Sequence, residues 1–295
     1  MLTKKNKFQL ALVTLLLSTT SIYAEYPYDG FNEQSSTQKE APSEDVSDLT
    51  TTIIKNITAN KSKKTLKKSQ VAKADFSSLI IMDSEKASVK SGTTDITSSA
   101  FRLSYDKELN AESDVGAIFS YRQSKVDATG VKSKSYLLAP YYKYYSNITD
   151  KIDVQTIGNL VLGKQKNSGA TSDYSKYGGG VTFVPNYYVS DALLFNAPVG
   201  LQSMKNSSGA GAGNTERKDI FNYGLGMEYN IQPNWLLNTS LLQTKDLGSS
   251  AKATYYTIQS TYYGELWNMG LGYKTVKNVT NYDEDSYMVS VQYNW

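Results

Sequence analysis

The feature that most constrains this chain is its last ten residues, 286–295, which read S-Y-M-V-S-V-Q-Y-N-W. Tyr287, Val289, Val291, Tyr293 and Trp295 alternate with Met288, Ser290, Gln292 and Asn294 up to the carboxyl terminus. Strict alternation of this kind places every large apolar side chain on one face of a β-strand. A terminal aromatic on that face suits a membrane interface, where amphipathic rings are favoured. Such a strand needs partners on both edges, so the rest of the chain is read for further strands of the same kind.

The opposite end is built for export. Lys4, Lys5 and Lys7 form a basic stretch, 8–17 an apolar core, and 18–24 a small and polar segment ending in Ala24. This is the pattern of a secretory signal peptide, with the mature chain expected from Glu25. The apolar run is shorter than a membrane-spanning helix, and no later stretch reaches the roughly 20 apolar residues a helical span requires. The formal charge of +3 is carried by the three leader lysines, so the remainder is neutral and shows no basic footprint for nucleic acid. With no Cys, neither a disulfide framework nor a lipidated cysteine is available.

Residues 25–74 differ in composition from the remainder of the chain. Residues 25–48 are polar and acidic, and Lys55, Lys61, Lys63, Lys64, Lys67, Lys68 and Lys73 then make a basic run. This composition buries too little apolar surface to offset chain entropy, and a mostly disordered periplasmic tail is expected. The alternative is a linker or plug, with part of 49–73 entering a lumen.

From 75 to 295 the sequence is periodic. Segments 100–106, 115–123, 136–145, 152–164, 177–188, 193–202, 221–230, 235–244, 254–263, 266–275 and 286–295 read as strands, and the weaker 76–82 supplies another. In 221–230, Phe221, Tyr223, Leu225, Met227 and Tyr229 share one face, while Asn222, Gly224, Gly226, Glu228 and Asn230 share the other. The expected fold class is all-β: a transmembrane antiparallel up-and-down β-barrel of about 12 strands, since single-chain bacterial barrels have even strand numbers. Low mean hydropathy fits, because each strand averages an apolar and a polar face.

Short connections (107–114, 146–151, 189–192, 231–234, 264–265) alternate with longer ones (124–135, 165–176, 203–219, 245–253, 276–285), which sorts periplasmic turns from outer loops. Tyrosine is abundant, 24 of 295 residues, and the clusters at 141–145, 187–188 and 262–263 are expected to form a periplasmic-side aromatic girdle. Pro140 and Pro198 fall inside expected strands, where bulges would absorb the missing donor. Glycines at inward positions, among them Gly178, Gly180, Gly200, Gly224, Gly226, Gly270 and Gly272, either keep a lumen open or let something pack against the backbone.

The closing strand and the stretch 104–121, S-Y-D-K-E-L-N-A-E-S-D-V-G-A-I-F-S-Y, resemble bacterial outer-membrane β-barrels, in particular the autotransporter-type β-domain or a small porin-like barrel. The resemblance is architectural and covers about the last three quarters of the chain. It implies placement in the outer membrane of a Gram-negative bacterium after export. The implied partners are membrane lipid, lipopolysaccharide and the barrel-assembly machinery, with Tyr287, Val289, Val291, Tyr293 and Trp295 as the assembly signal. A large passenger would precede an autotransporter barrel, and only the tail is present here.

Outer-membrane enzymes of this architecture use a His as base or as partner of a nucleophile, and this chain has no His, so no catalytic residue is expected. No cofactor is implied. Asp283, Glu284 and Asp285 have the oxygen chemistry of a hard-cation site, but three consecutive acids do not converge easily on one ion, and no metal site is expected. They read as a solvated loop, or as ligands for cations bridging lipopolysaccharide.

The residues expected to face the lumen with charge are Arg102, Arg122, Lys143, Asp153, Glu228 and Lys274. A basic ring favours anions, and the leading expectation is a non-enzymatic pore for passive diffusion of small, anionic solutes. The opposing reading pairs these charges internally. Two further functions are a surface-interaction, adhesin-like barrel acting through its outer loops, and a translocator-like barrel.

Overall fold

The computed structural model describes residues 78–91, 94–110, 112–127, 132–167, 174–208, 215–248, 252–264, 266–278 and 282–294. The leader, the tail and Trp295 lie outside the described residues. The strands are β1 (Ser78–Ser91), β2 (Thr94–Asn110), β3 (Ser113–Val126), β4 (Lys132–Thr149), β5 (Ile152–Asn167) and β6 (Tyr174–Tyr188). They continue as β7 (Leu193–Asn196), β8 (Val199–Ser208), β9 (Thr215–Gln232), β10 (Trp235–Asp246), β11 (Lys252–Tyr263), β12 (Trp267–Asn278) and β13 (Tyr282–Asn294).

Every neighbouring pair is antiparallel. The closing strand pairs with the first, from Leu79 opposite Asn294 to Ser91 opposite Tyr282, so the sheet has no free edge. β7 and β8 occupy a single strand position, since both lie between β6 and β9. The result is a closed twelve-strand barrel whose seventh position is split. Each of the twelve segments read from the sequence overlaps one of these positions, with 76–77 and 295 outside the described residues and Leu266 just before β12.

Shear sets the dimensions. Hydrogen-bonded partners traced from Arg102 through Ser120, Leu137, Gly163, Lys176 and Asn206 arrive at Glu216 on β9. Traced the other way, through Asp83, Ser290, Gly270, Thr261 and Leu236, they arrive at Asn230 on the same strand. That displacement tilts the strands by roughly 40°. Twelve tilted strands about 4.8 Å apart enclose about 24 Å between opposite backbones, and a bore of about 10 Å once side chains project inward.

The strands run further at one end than their apolar alternation suggests. The expected loop 203–219 shrinks to the connection between Ser208 and Thr215, and the expected loop 165–176 to that between Asn167 and Tyr174. Lys, Ser and Thr replace apolar residues there, and the backbone ladder continues without an apolar face. The acidic triplet is likewise not a loop. Asp283, Glu284 and Asp285 lie in β13, with Glu284 buried on the inner face and its neighbours exposed on the outer.

The prolines are accommodated without the expected bulges. Ladder partners on either side of Pro140 keep one register, Leu138 opposite Leu162 and Tyr141 opposite Asn159, with only the intervening pairs absent. Around Pro198 the register is also unshifted, with Asn196 opposite Asn186 and Val199 opposite Phe183. The Ala197 amide donates to the Pro185 carbonyl (3.0 Å) and the Gly224 amide to the Pro198 carbonyl (2.9 Å), so Pro198 removes one donor and splits β7 from β8. Register shifts occur instead beside short turns, at Glu108/Asn110, Asn147/Thr149 and Trp235/Leu236.

The outer wall is a continuous apolar band that includes exposed Leu138, Leu160, Phe183, Leu201, Leu225 and Leu271. Tyr142, Tyr144, Tyr187 and Tyr262 stand on it near the short turns. There too, Trp235 packs edge-on to Tyr262 (5.3 Å between centroids) and Trp267 against Tyr293 (4.6 Å). The girdle therefore exists, but half of each tyrosine cluster does not join it. Alternation turns Tyr141, Tyr145, Tyr188 and Tyr263 into the barrel. A shallow depression of about 570 Å³ between Phe195, Leu225 and Tyr256 opens on this lipid-facing side.

Candidate functional site: a layered lumen

All six charged residues expected to face the lumen are buried on the inner face. Five of them fall into two groups, Arg122 and Lys274 toward the loop end and Lys143, Asp153 and Glu228 toward the turn end, while Arg102 lies between, opposite Ser120 in the ladder. Near the loop end, Arg122 Nη2 and Lys274 Nζ converge on the same oxygen of Glu284, at 3.3 and 3.0 Å. Arg122 Nε also donates to Ser98 Oγ (2.9 Å). Glu284 is only 1% exposed, and it joins β3 to β12 and β13. Lys176 and Lys218 near the loop ends of β6 and β9, and Asp246 at that of β10, are also buried on this side.

Near the turn end, Lys143, fully buried, binds Asp106 at 2.6 Å and lies 5.0 Å from the centre of the Tyr141 ring. The Tyr145 hydroxyl donates to Asp114 (2.5 Å), and Asn186 Nδ2 donates to Asp153 Oδ1 (2.7 Å). Glu228 is buried at the same end. Acids predominate here: Asp106, Asp114, Asp153 and Glu228 share the layer with Lys143, its one buried base among the described residues. Both side-chain amide atoms of Gln155 and of Asn268 are buried without a protein partner, directing hydrogen-bonding capacity into the lumen.

An apolar cluster lies among these groups. Ile118, Ala139, Ile157, Val161, Val184 and Ile220 have no exposed surface, and they belong to one cluster with Leu242, Tyr255 and Val276. All are inward by alternation. In a bore of about 10 Å, this cluster fills part of the lumen beside buried Arg102, Gln202 and Asn222. The inward glycines are crowded rather than open. A Cβ at Gly178 would strike the Ser203 carbonyl and Met204, and one at Gly226 would strike the Asn196 side chain. Of the two readings of these glycines, close packing against the backbone is the one observed.

Arg102, Arg122, Lys143, Asp153, Glu228 and Lys274 are buried on the inner face, and with them are Asp106, Asp114, Glu284 and the apolar cluster, which sequence reasoning did not single out. A signal for the cluster was present. Runs such as Leu160-Val161-Leu162 and Tyr136-Leu137-Leu138 break the alternation because both faces are apolar. Among the assembly-signal residues, Tyr287 and Val289 are exposed on the outer wall, while Val291 is covered between Met82 and Met269 of the adjacent strands.

A closed antiparallel barrel with an apolar outer band, an aromatic girdle and a buried polar lumen defines a transmembrane β-barrel of the outer-membrane type. Solved structures agree at the level of fold. The translocator domain of the autotransporter NalP from Neisseria meningitidis superposes with a TM-score of 0.56 at 13% identity, covering 83% of this chain and 98% of that one. The β-domain of the Bordetella autotransporter BrkA gives 0.55 at 12% identity, over 74% of this chain and 100% of that one. An outer-membrane channel of Pseudomonas putida F1 gives 0.56 at 11% identity, over 77% and 100%. No protein-family model matches the chain. No curated protein sequence matches it.

Proposed function

We propose that this chain is exported by its leader and acts in the outer membrane as a non-enzymatic channel for small polar solutes. Anions are favoured at its outer mouth. The observation that carries the reading is the layering of the lumen. Arg122, Lys176, Lys218 and Lys274 outnumber Asp246 and Glu284 near the loops, whereas acids dominate near the turns. Entry from outside is thus favourable to anions.

Arg122 and Lys274 contribute less field than an unpaired ring would, because Glu284 neutralises part of their charge. The absence of His and Cys leaves no usual nucleophile–base pair in the lumen. The short outer connections leave little surface for a loop-borne adhesin.

Planar-bilayer recording of the refolded barrel, with and without residues 25–74, tests the proposal. Stepwise conductance is expected, with anion preference reduced by Lys176→Gln/Lys218→Gln. A folded, heat-modifiable barrel that shows no conductance in either form overturns it.

A further inference from the structure

The outer wall carries charges in an arrangement the barrel itself does not need. At the loop end, four cross-strand positions place cation directly opposite cation. They are Lys125 with Lys132, Lys134 with Lys166, Lys205 with Arg217, and Lys245 with Lys252. All eight fall in the outward register of their strands, and Lys134, Lys166, Lys205, Arg217, Lys245 and Lys252 are exposed. Directly opposed side chains stand about 5 Å apart at Cβ, and like charges so placed destabilise the sheet.

Two of the pairs have an acid beside them. Asp127 lies 3.8 Å from Lys125, and Asp219 lies 3.0 Å from Arg217, both as solvent-exposed pairs of little strength. The seam of the barrel is arranged differently, with Lys277 opposite Asp283. The like-charge oppositions are thus confined to β3–β5 and β8–β11, each just beyond the apolar band. Two residues below Lys134 on the same face, Tyr136 packs against Tyr121 with ring centroids 5.1 Å apart, an interfacial aromatic pair. The ammonium groups therefore stand at headgroup height on the loop side.

We propose that these opposed cations bind the phosphate groups of a phosphorylated glycolipid in the outer leaflet, with Lys134 and Lys166 forming the central clamp. A phosphate monoester carries a charge of about −1.5 to −2 near neutrality, which matches two facing cations better than the single charge of a phosphodiester headgroup does. An anion bridging Lys134 and Lys166 offsets the repulsion built into the sheet there. The inference goes beyond the channel reading and does not depend on it.

The test uses the full mature chain refolded into phosphatidylcholine vesicles, with and without a bis-phosphorylated lipid A-type glycolipid, and reads the temperature at which heat-modifiable migration is lost. The glycolipid is expected to raise that temperature, and Lys134→Gln/Lys166→Gln to abolish more than half of the rise. Lys134→Arg/Lys166→Arg and Lys277→Gln are expected to retain it. Without the glycolipid, the Gln variant is expected to match or exceed the parent, because an opposed charge pair has been removed. A purely structural role for the lysines would instead lower stability in both vesicles. An equal rise from the dephosphorylated glycolipid or from phosphatidylglycerol overturns the assignment, as does a full rise in the Gln variant.

Discussion

Glu284 shows how much one buried side chain carries in this lumen. It receives both Arg122 and Lys274, and only one of its carboxylate oxygens makes both contacts. Removing one partner of a buried ion pair leaves uncompensated charge and costs about 3–5 kcal/mol, more than the pair itself contributes over an apolar equivalent. Glu284→Gln is therefore expected to destabilise the barrel by about that amount in denaturant titration in detergent micelles. The neighbouring Asp283→Asn, on the exposed outer face, is expected to stay within about 0.5 kcal/mol of the parent. Equal effects from the two would mean that the inward triad does not hold the wall together. None of this was legible in the sequence, where three consecutive acids read as a loop. Alternation separates Glu284 from Asp283 and Asp285 only once the strand is known to extend through them. The contact with Arg122 joins residues 162 positions apart in the chain, and no local pattern encodes it.

At the scale of elements, strand existence was legible and strand ends were not. The apolar face that reveals a strand spans only the lipid band, while β4 and β9 each run for 18 residues and leave that band for water. Thr94 to Ser99 carry no apolar alternation, yet they pair in β2 against β1 as regularly as the residues below them. The prolines were misread for a related reason. A bulge resets register, but a single missing donor in a ladder anchored on both sides does not require one. Pro198 sits between intact pairings on β6 and β9, and its carbonyl still accepts from Gly224. Pro198→Ala should therefore supply the absent donor, directed at β9, without moving a neighbour. Hydrogen exchange of the variant is expected to show a protected amide at position 198, with any stability gain held to about 1 kcal/mol. An amide there that exchanges as fast as those in the turns would show that the strand is bent away from β9 rather than merely short of one hydrogen bond.

For the molecule as a whole, closure is the property on which the others rest. In hydrocarbon an unpaired strand edge is prohibitively costly, so a membrane sheet is stable only when its last strand reaches its first. Here β13 pairs with β1 from Leu79 opposite Asn294 to Ser91 opposite Tyr282. The lumen groups are assembled from residues of β2 to β13: Arg122 with Glu284 near the loops, Lys143 with Asp106 near the turns, and the Ile118–Ile220 cluster among them. A chain lacking 25–74 is therefore expected to insert, to migrate as a compact, heat-modifiable species, and to resist protease to the same extent as the parent. By contrast, Tyr287→Lys places a charge on the outer wall beside Tyr273, opposite it in the seam-side ladder, at a depth where lipid contact makes it cost about 2 kcal/mol. It should slow assembly while leaving the lumen chemistry untouched. If deletion of 25–74 abolished heat-modifiability while Tyr287→Lys left assembly unchanged, the barrel would owe its stability to the tail rather than to the seam between its first and last strands.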